Sequence, residues 1–181
     1  MARRFKKKTT AKTKKDKSAG KIAHKKTEVD GIMFHSKMES KYYEHLKELK
    51  EQGEVLKFEL QPEYILQDKF IVVDGEVIYG EDARFSKLKK KHKAETIRAI
   101  KYIADFIVTY NDGRVEVVDT KGKSTVDFEI KKKMLLCKYP TIDFKVLIIN
   151  KEKLWVGYYQ YQKDIRAKKR DAKKLALLEE M

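Results

Sequence analysis

Lys101-Tyr-Ile-Ala-Asp-Phe-Ile-Val-Thr-Tyr110, followed by Asn111-Asp112-Gly113 and Arg114-Val-Glu-Val-Val-Asp-Thr-Lys121, is the stretch that decides the fold. Two runs rich in β-branched and aromatic residues flank a turn built from residues that tolerate left-handed backbone, so the segment reads as a β-hairpin. A three-residue loop with Gly113 left-handed sets Tyr110 opposite Arg114. Counting outward in step then sets Asp105 opposite Asp119. Opposed residues share a sheet face with Cβ atoms about 5 Å apart, and the period of two adds Lys121 to that face. Two carboxylates and an ammonium are expected to meet at one end of the hairpin.

Two carboxylates this close repel unless a cation lies between them. A hard divalent ion, Mg²⁺ or Mn²⁺, suits them, because it prefers carboxylate and carbonyl oxygens and keeps waters that can be presented to a phosphate. Lys121 could orient or deprotonate such a water, or stabilise charge growing on phosphoryl oxygens. The residues also admit a second account: all three are solvent-face residues of an edge hairpin, with Lys121 neutralising Asp119. On these residues alone the two accounts stand level.

Upstream, Ser36-Lys37-Met38-Glu39 has the form of a capping box, and Met38, Tyr42, Leu46 and Leu49 then recur at helical spacing until Gly53. Val55 to Leu66 and Phe70 to Ile78 read as extended, the second with a turn at Asp74-Gly75. The lysine-rich stretch Lys87 to Lys93 fits either a loop or a helix. Downstream, a helix is expected from Val126 to about Lys138, stopped by Pro140. Phe144 to Ile149 reads as a buried strand, and a charged helix follows from about Lys163 to Glu180.

The 181 residues carry 43 Lys+Arg against 28 Asp+Glu, a net charge of +15. Such an excess suits a polyanion, with nucleic acid, an anionic membrane surface and a ribosome all satisfying it. Residues 1–29 hold twelve of the basic residues, among them Arg3, Arg4, Lys6, Lys7 and Lys8, and only two acids, with almost nothing to bury. This segment is expected to be a disordered basic arm, either a sequence-blind clamp on phosphates or a solubilising tail. A single cysteine, Cys137, excludes a disulfide or a cysteine-based zinc site within one chain, and the four scattered histidines read as surface or satisfied residues. No apolar run approaches the roughly 20 residues that span a bilayer, and no signal-peptide pattern is visible, so a cytoplasmic protein without a membrane partner is expected.

The order of these elements carries a resemblance. A helix bearing Glu39, then Ala104-Asp105-Phe106, then Val118-Asp119-Thr120-Lys121-Gly122, then a helix and a buried strand, resembles the PD-(D/E)XK nuclease superfamily over residues 31–150. Within it, the chain is most similar to small phage-encoded endonucleases of the junction-resolving endonuclease I type. The resemblance implies an α/β restriction-endonuclease-like core, a central mixed sheet flanked by helices. It implies a Mg²⁺- or Mn²⁺-dependent hydrolase acting on DNA, with branched or junction DNA as a candidate substrate and a homodimer suited to paired cuts. A phage-encoded enzyme would act in the host cell cytoplasm. By position, Asp105, Asp119 and the Thr120 carbonyl would bind the metal, Glu39 would complete its shell, and Lys121 would serve the attacking water. Ala104 stands where a proline is frequent, and Asp119 where glutamate is commoner.

Several positions keep two accounts. Glu39 could serve the metal or merely cap its helix. Gln61 could reach the site from the neighbouring strand or be an ordinary exposed strand residue. Lys123, Ser124, Thr125, Lys131 and Lys133 form a polar and basic shoulder after the metal motif, with Lys131 a phosphate contact or part of a solvated helix face. The expected layout is an arm over 1–29, a nuclease domain over 30–162 and a charged helix over 163–181. The rival functions are a non-catalytic basic nucleic-acid-binding protein and a ribosome-associated basic protein.

Overall fold

The computed structural model describes residues 26–79 and 94–179. In chain order these form β1 (Thr27–Val29), β2 (Ile32–Phe34), α1 (Lys37–Glu51), β3 (Val55–Leu60), β4 (Glu63–Gln67), β5 (Phe70–Val73), β6 (Glu76–Tyr79), β7 (Ala94–Ile97), β8 (Ile100–Ile103), β9 (Phe106–Tyr110), β10 (Val115–Thr120), α2 (Val126–Lys138), β11 (Phe144–Ile149), β12 (Trp155–Gly157) and α3 (Tyr158–Glu179). The residues Arg3, Arg4, Lys6, Lys7 and Lys8 and the stretch Lys87 to Lys93 lie outside the described residues.

The hairpin has the expected register. Val115 pairs with Thr109, and the ladder ends at Val118 opposite Phe106, so Asp105 and Asp119, expected as a cross-strand pair, lie just past it and are not paired in it. Gly113 sits at φ +88°, which suits glycine because a side chain there would crowd the backbone. The hairpin is the middle of a five-stranded sheet ordered β12-β11-β10-β9-β3. Only β10 and β11 run parallel, joined by α2 as the crossover, so the sheet is mixed. A two-stranded sheet of β4 and β8 and a three-stranded sheet of β6, β5 and β7 stand beside it.

Alternation along β9 and β10 builds two cores. Phe106, Val108 and Val118 pack with Tyr42, Leu46 and Val55 on the α1 side. Val117 packs with Phe128, Leu135, Val146 and Ile148 on the α2 side. Each fully buried aliphatic side chain contributes on the order of 2 kcal/mol, so either face would be costly to expose. The architecture is thus mixed α/β, a central mixed sheet with helices against both faces.

Three boundaries differ from expectation. Lys101 to Tyr110 is not one strand: β8 pairs with β4 and β9 with β3 and β10, with a break at Ala104-Asp105. Tyr102 and Ala104 lie in the α2-side core while Phe106 lies in the α1-side core, so the break reverses which face the even-numbered residues occupy. Thr27 to Val29, assigned to the arm, form a strand paired with β2 through an Asp30-Gly31 turn. The last helix begins at Tyr158 rather than near Lys163, because Tyr158 is buried against the sheet and anchors its first turn.

Candidate active site

Asp119 and Thr120 end β10, and both are almost wholly buried, Asp119 at 1% exposure. A buried carboxylate needs partners, and Asp119 has two. The Tyr102 hydroxyl donates to its Oδ2, and Lys121 Nζ stands 2.6 Å from its Oδ1. Oδ1 makes no aligned hydrogen bond among the described residues, so the Lys121 ammonium is what offsets its charge. Lys121 itself lies over the Phe128 ring, 4.8 Å from its centroid, so the start of α2 holds the ammonium in place.

Asp105 sits in the break between β8 and β9. Its backbone N–H donates to Val118 O at 3.1 Å, and its carbonyl accepts from Gln61 N at 2.9 Å. Its carboxylate turns toward the end of β10, where Oδ2 accepts from both Thr120 N and Thr120 Oγ1 at 2.7 Å. Burial, with Asp119 and Glu39 nearby, raises its pKa to about 7, against the opposing pull of Lys121 and the Thr120 N–H. Burial also raises Asp119, opposed by Lys121 and Tyr102. For both carboxylates burial is the largest cause, and the nearby Lys121 charge favours the ionised forms.

Glu39 occupies the third position of α1. Ser36 caps the helix as expected, accepting from Glu39 N at 3.2 Å, but the return bond differs from a capping box: Glu39 Oε2 accepts from His35 N at 3.2 Å. Glu39, Gln61 and Asp105 line one cavity of about 120 Å³ with Phe34, Leu60 and Phe106. Glu39 also borders an adjoining cleft of about 600 Å³, shared with Thr120, Lys121, Lys123 and Thr125. Glu39, Gln61, Asp105, Thr120 and Lys121 thus line these two spaces, whereas Asp119 lines neither and joins them through its contact with Lys121. Gln61 adopts φ +50°, a conformation that costs a non-glycine residue about 1 kcal/mol or more, and its Nε2 meets His35 Nδ1 at 3.3 Å.

The remaining sequence expectations divide. Lys123 lines the cleft, whereas the Thr125 hydroxyl is engaged as the N-cap of α2, accepting from Phe128 N at 3.2 Å. Lys131 pairs with Asp127 along its own helix at 3.5 Å, and Lys133 is exposed. Tyr102 and His35 are contributors that sequence reasoning missed. Tyr102 was hidden by the strand break, since an unbroken strand would point it away from Asp119. His35 had a visible signal in its place just before the Ser36 cap.

The donors suit a hard cation in type, being carboxylates, one of whose buried oxygens is met by the Lys121 ammonium. Their present arrangement is not a finished cage, because among the described residues no three His, Cys, Asp or Glu side chains are grouped closely enough to hold a metal. One consequence is measurable. A carboxyl raised from about 4 in the unfolded chain to about 7 in the folded one favours folding most when protonated, and that contribution is lost as pH rises from about 4 through about 7. In EDTA, the wild-type Tm should fall over that window more steeply than that of Asp105→Asn, and Mg²⁺ should restore the wild type above pH 7. Parallel curves for the two proteins would place the titration elsewhere.

Residues 19–154 match the model of a family described as "Protein of unknown function (DUF1064)", a span that includes Glu39, Asp105, Asp119 and Lys121 and stops before α3. No curated protein and no solved structure matches the chain.

Proposed function

The chain belongs to the DUF1064 family, and from its own residues we propose that it is a metal-dependent endonuclease of the PD-(D/E)XK type, hydrolysing DNA phosphodiester bonds. The observation that carries this reading is the convergence of Asp105, whose carboxylate accepts from Thr120 at the end of β10, and Asp119, whose buried Oδ1 is met by the Lys121 ammonium, beside a lysine-edged cleft. A structural ion pair would have little use for two carboxylates and one ammonium. Asp105, Asp119, the Thr120 carbonyl and Glu39 would hold Mg²⁺ or Mn²⁺, and the ion when bound supplies Lewis acidity and makes water a nucleophile near neutral pH.

The chain's own groups account for the rest. Tyr102 fixes one oxygen of Asp119 and thereby aims the other, and the Thr120 N–H and hydroxyl do the same for Asp105. Lys121, tethered at Asp119 and over Phe128, stands at the cleft, where it orients the attacking water and offsets charge growing on the phosphoryl oxygens. Water adds an O–P bond as the P–O3′ bond breaks, leaving a 5′-phosphate and a 3′-hydroxyl. The resemblance adds branched DNA as substrate, a homodimer for paired cuts and a phage origin with action in the host cytoplasm.

The test is incubation with end-labelled linear duplex, single-stranded and four-way-junction DNA in Mg²⁺ or in EDTA. Cleavage of at least one of them in Mg²⁺ alone is expected. Binding without cleavage in either Mg²⁺ or Mn²⁺ would favour the non-catalytic rival.

β1 starts at Thr27, and Lys26 just before it lines the cleft beside Lys121. Removing residues 1–26 should leave a folded core that binds DNA more weakly, with the slope of log K against log salt reduced by about 0.9 per lost phosphate contact on duplex. An unchanged slope would exclude the arm as a phosphate clamp.

A further inference from the structure

A second cleft, of about 700 Å³, opens between the loop after β10 and the first turns of α3. Its lining includes Lys123, Tyr158, Tyr159, Lys163, Arg166 and Arg170. Lys123 also lines the cleft that holds Lys121 and Glu39, so the two depressions adjoin at that residue. We infer that this cleft holds the nucleic-acid strand on one side of the cut. The inference rests on the nuclease reading for what lies at its inner end.

Charge is the first support. Lys163, Arg166 and Arg170 are exposed and, like Lys123, have no acidic side chain within ion-pair distance among the described residues. The acid in the lining, Glu129, is already engaged by Ser124 Oγ, by the Tyr159 hydroxyl at 2.8 Å and by Lys132 at 3.2 Å. Among the described residues these cations are therefore uncompensated and available to a polyanion. Lys47 and Lys101 are paired, with Asp30 and Glu63, whereas Lys168 and Lys169 on α3 are exposed and, among the described residues, as free of acidic partners as the cleft cations, which makes them a matched control.

Spacing is the second. Positions 163, 166 and 170 fall on one face of an α-helix and span about 10 Å along its axis at 1.5 Å per residue. One strand of a duplex advances about 3.4 Å of axis per phosphate, so the row covers about three phosphate-to-phosphate steps. A compact acidic peptide patch has no such requirement for a line. The third support is the floor: Tyr158 is held by Ser124 N at 2.8 Å, and Tyr159, perpendicular to it, carries Lys132 over its ring at 3.8 Å. An exposed, fixed aromatic beside cations is the combination that strands use for stacking.

The test compares two doubly substituted full-length proteins that lose equal charge from α3. Arg166→Ala/Arg170→Ala removes two of the four cations that line the cleft, and Lys168→Ala/Lys169→Ala alters residues outside its lining. Binding to fluorescent single-stranded and duplex DNA is measured in EDTA across a salt titration, and cleavage is measured separately in Mg²⁺. The cleft variant should bind at least tenfold more weakly, with a salt slope reduced by about 1.8 on duplex or about 1.4 on single strands, and its cleavage defect should appear in KM rather than kcat. The control pair should bind and cut as the wild type does. Equal effects of the two pairs would overturn the assignment, as would an equal loss of binding to polyglutamate of matched length. Because binding is read without metal, selective loss in the cleft variant together with no cleavage by the wild type would uphold the cleft and reject the nuclease reading.

Discussion

Asp105→Ala and Asp119→Ala should each abolish cleavage while leaving DNA binding intact or stronger. Under the proposed mechanism each substitution removes a metal ligand and, at the same time, a negative charge that repels the phosphate. Structure sharpens the choice of variant. Asp119 is buried with the Tyr102 hydroxyl donating to it, so alanine leaves that donor unsatisfied at a cost of about 1–3 kcal/mol, and a dead protein could be an unfolded one. Asp119→Asn keeps the volume and an acceptor for Tyr102, while losing the charge. Asp105→Asn likewise keeps an acceptor for Thr120. Melting curves establish that the variants are folded, and gel-shift titration in EDTA measures their binding. Wild-type cleavage rates in a folded aspartate variant would mean that the site lies elsewhere. Glu39→Gln should reduce activity without abolishing it, since Glu39 shares the cavity with Asp105 but has one oxygen held by the His35 backbone.

Lys121→Ala should slow cleavage by about 10²- to 10³-fold if the ammonium positions water or stabilises the transition state. If it only balances Asp105 and Asp119, the bound metal takes over that task and the rate at saturating Mg²⁺ should survive. The contact of 2.6 Å with Asp119 makes stability a second, independent readout. Removing one partner of a buried pair strands the other, which typically costs about 3–5 kcal/mol. Lys121→Ala should therefore melt earlier in EDTA and recover in Mg²⁺. Lys121→Arg keeps the charge but changes its shape and cannot act as a base, so it should also be slow under the catalytic account. Single-turnover cleavage across a Mg²⁺ titration separates the accounts, and near wild-type rates for both variants at saturation would remove Lys121 from the chemistry.

The hairpin was legible because its turn chemistry and its β-branched flanks agree, and one registered turn was enough to bring Asp105 and Asp119 to the same end. The helix at Val126 to Lys138 and the buried strand at Phe144 to Ile149 were legible for a similar reason, each being bounded by residues with a physical role there: Thr125 as cap and Tyr139-Pro140 as stop. What the pattern did not carry was the break at Ala104-Asp105. Its cause is tertiary, since β8 leaves to pair with β4 while β9 stays between β3 and β10, and no local residue announces the exchange. That break hid Tyr102. The Asp30-Gly31 turn, by contrast, repeats the signal used at Asp74-Gly75, with both residues at positive φ in each case. It was masked by the run of lysines before it, whose composition outweighed the hydrophobic residues Val29, Ile32 and Phe34. The basic row on α3 was visible only as charge, because which lysines and arginines share a cleft depends on where Tyr158 anchors the helix.

The central claim is that Asp105 and Asp119 form a metal-dependent hydrolytic site. The most direct measurement is cleavage of end-labelled DNA by the wild type and by folded Asp119→Asn, across a Mg²⁺ titration with EDTA as the zero point. Cutting that rises with Mg²⁺ for the wild type and is absent for Asp119→Asn at every concentration is the result predicted. Equal cutting by both proteins, or cutting by the wild type that persists in EDTA, would contradict it.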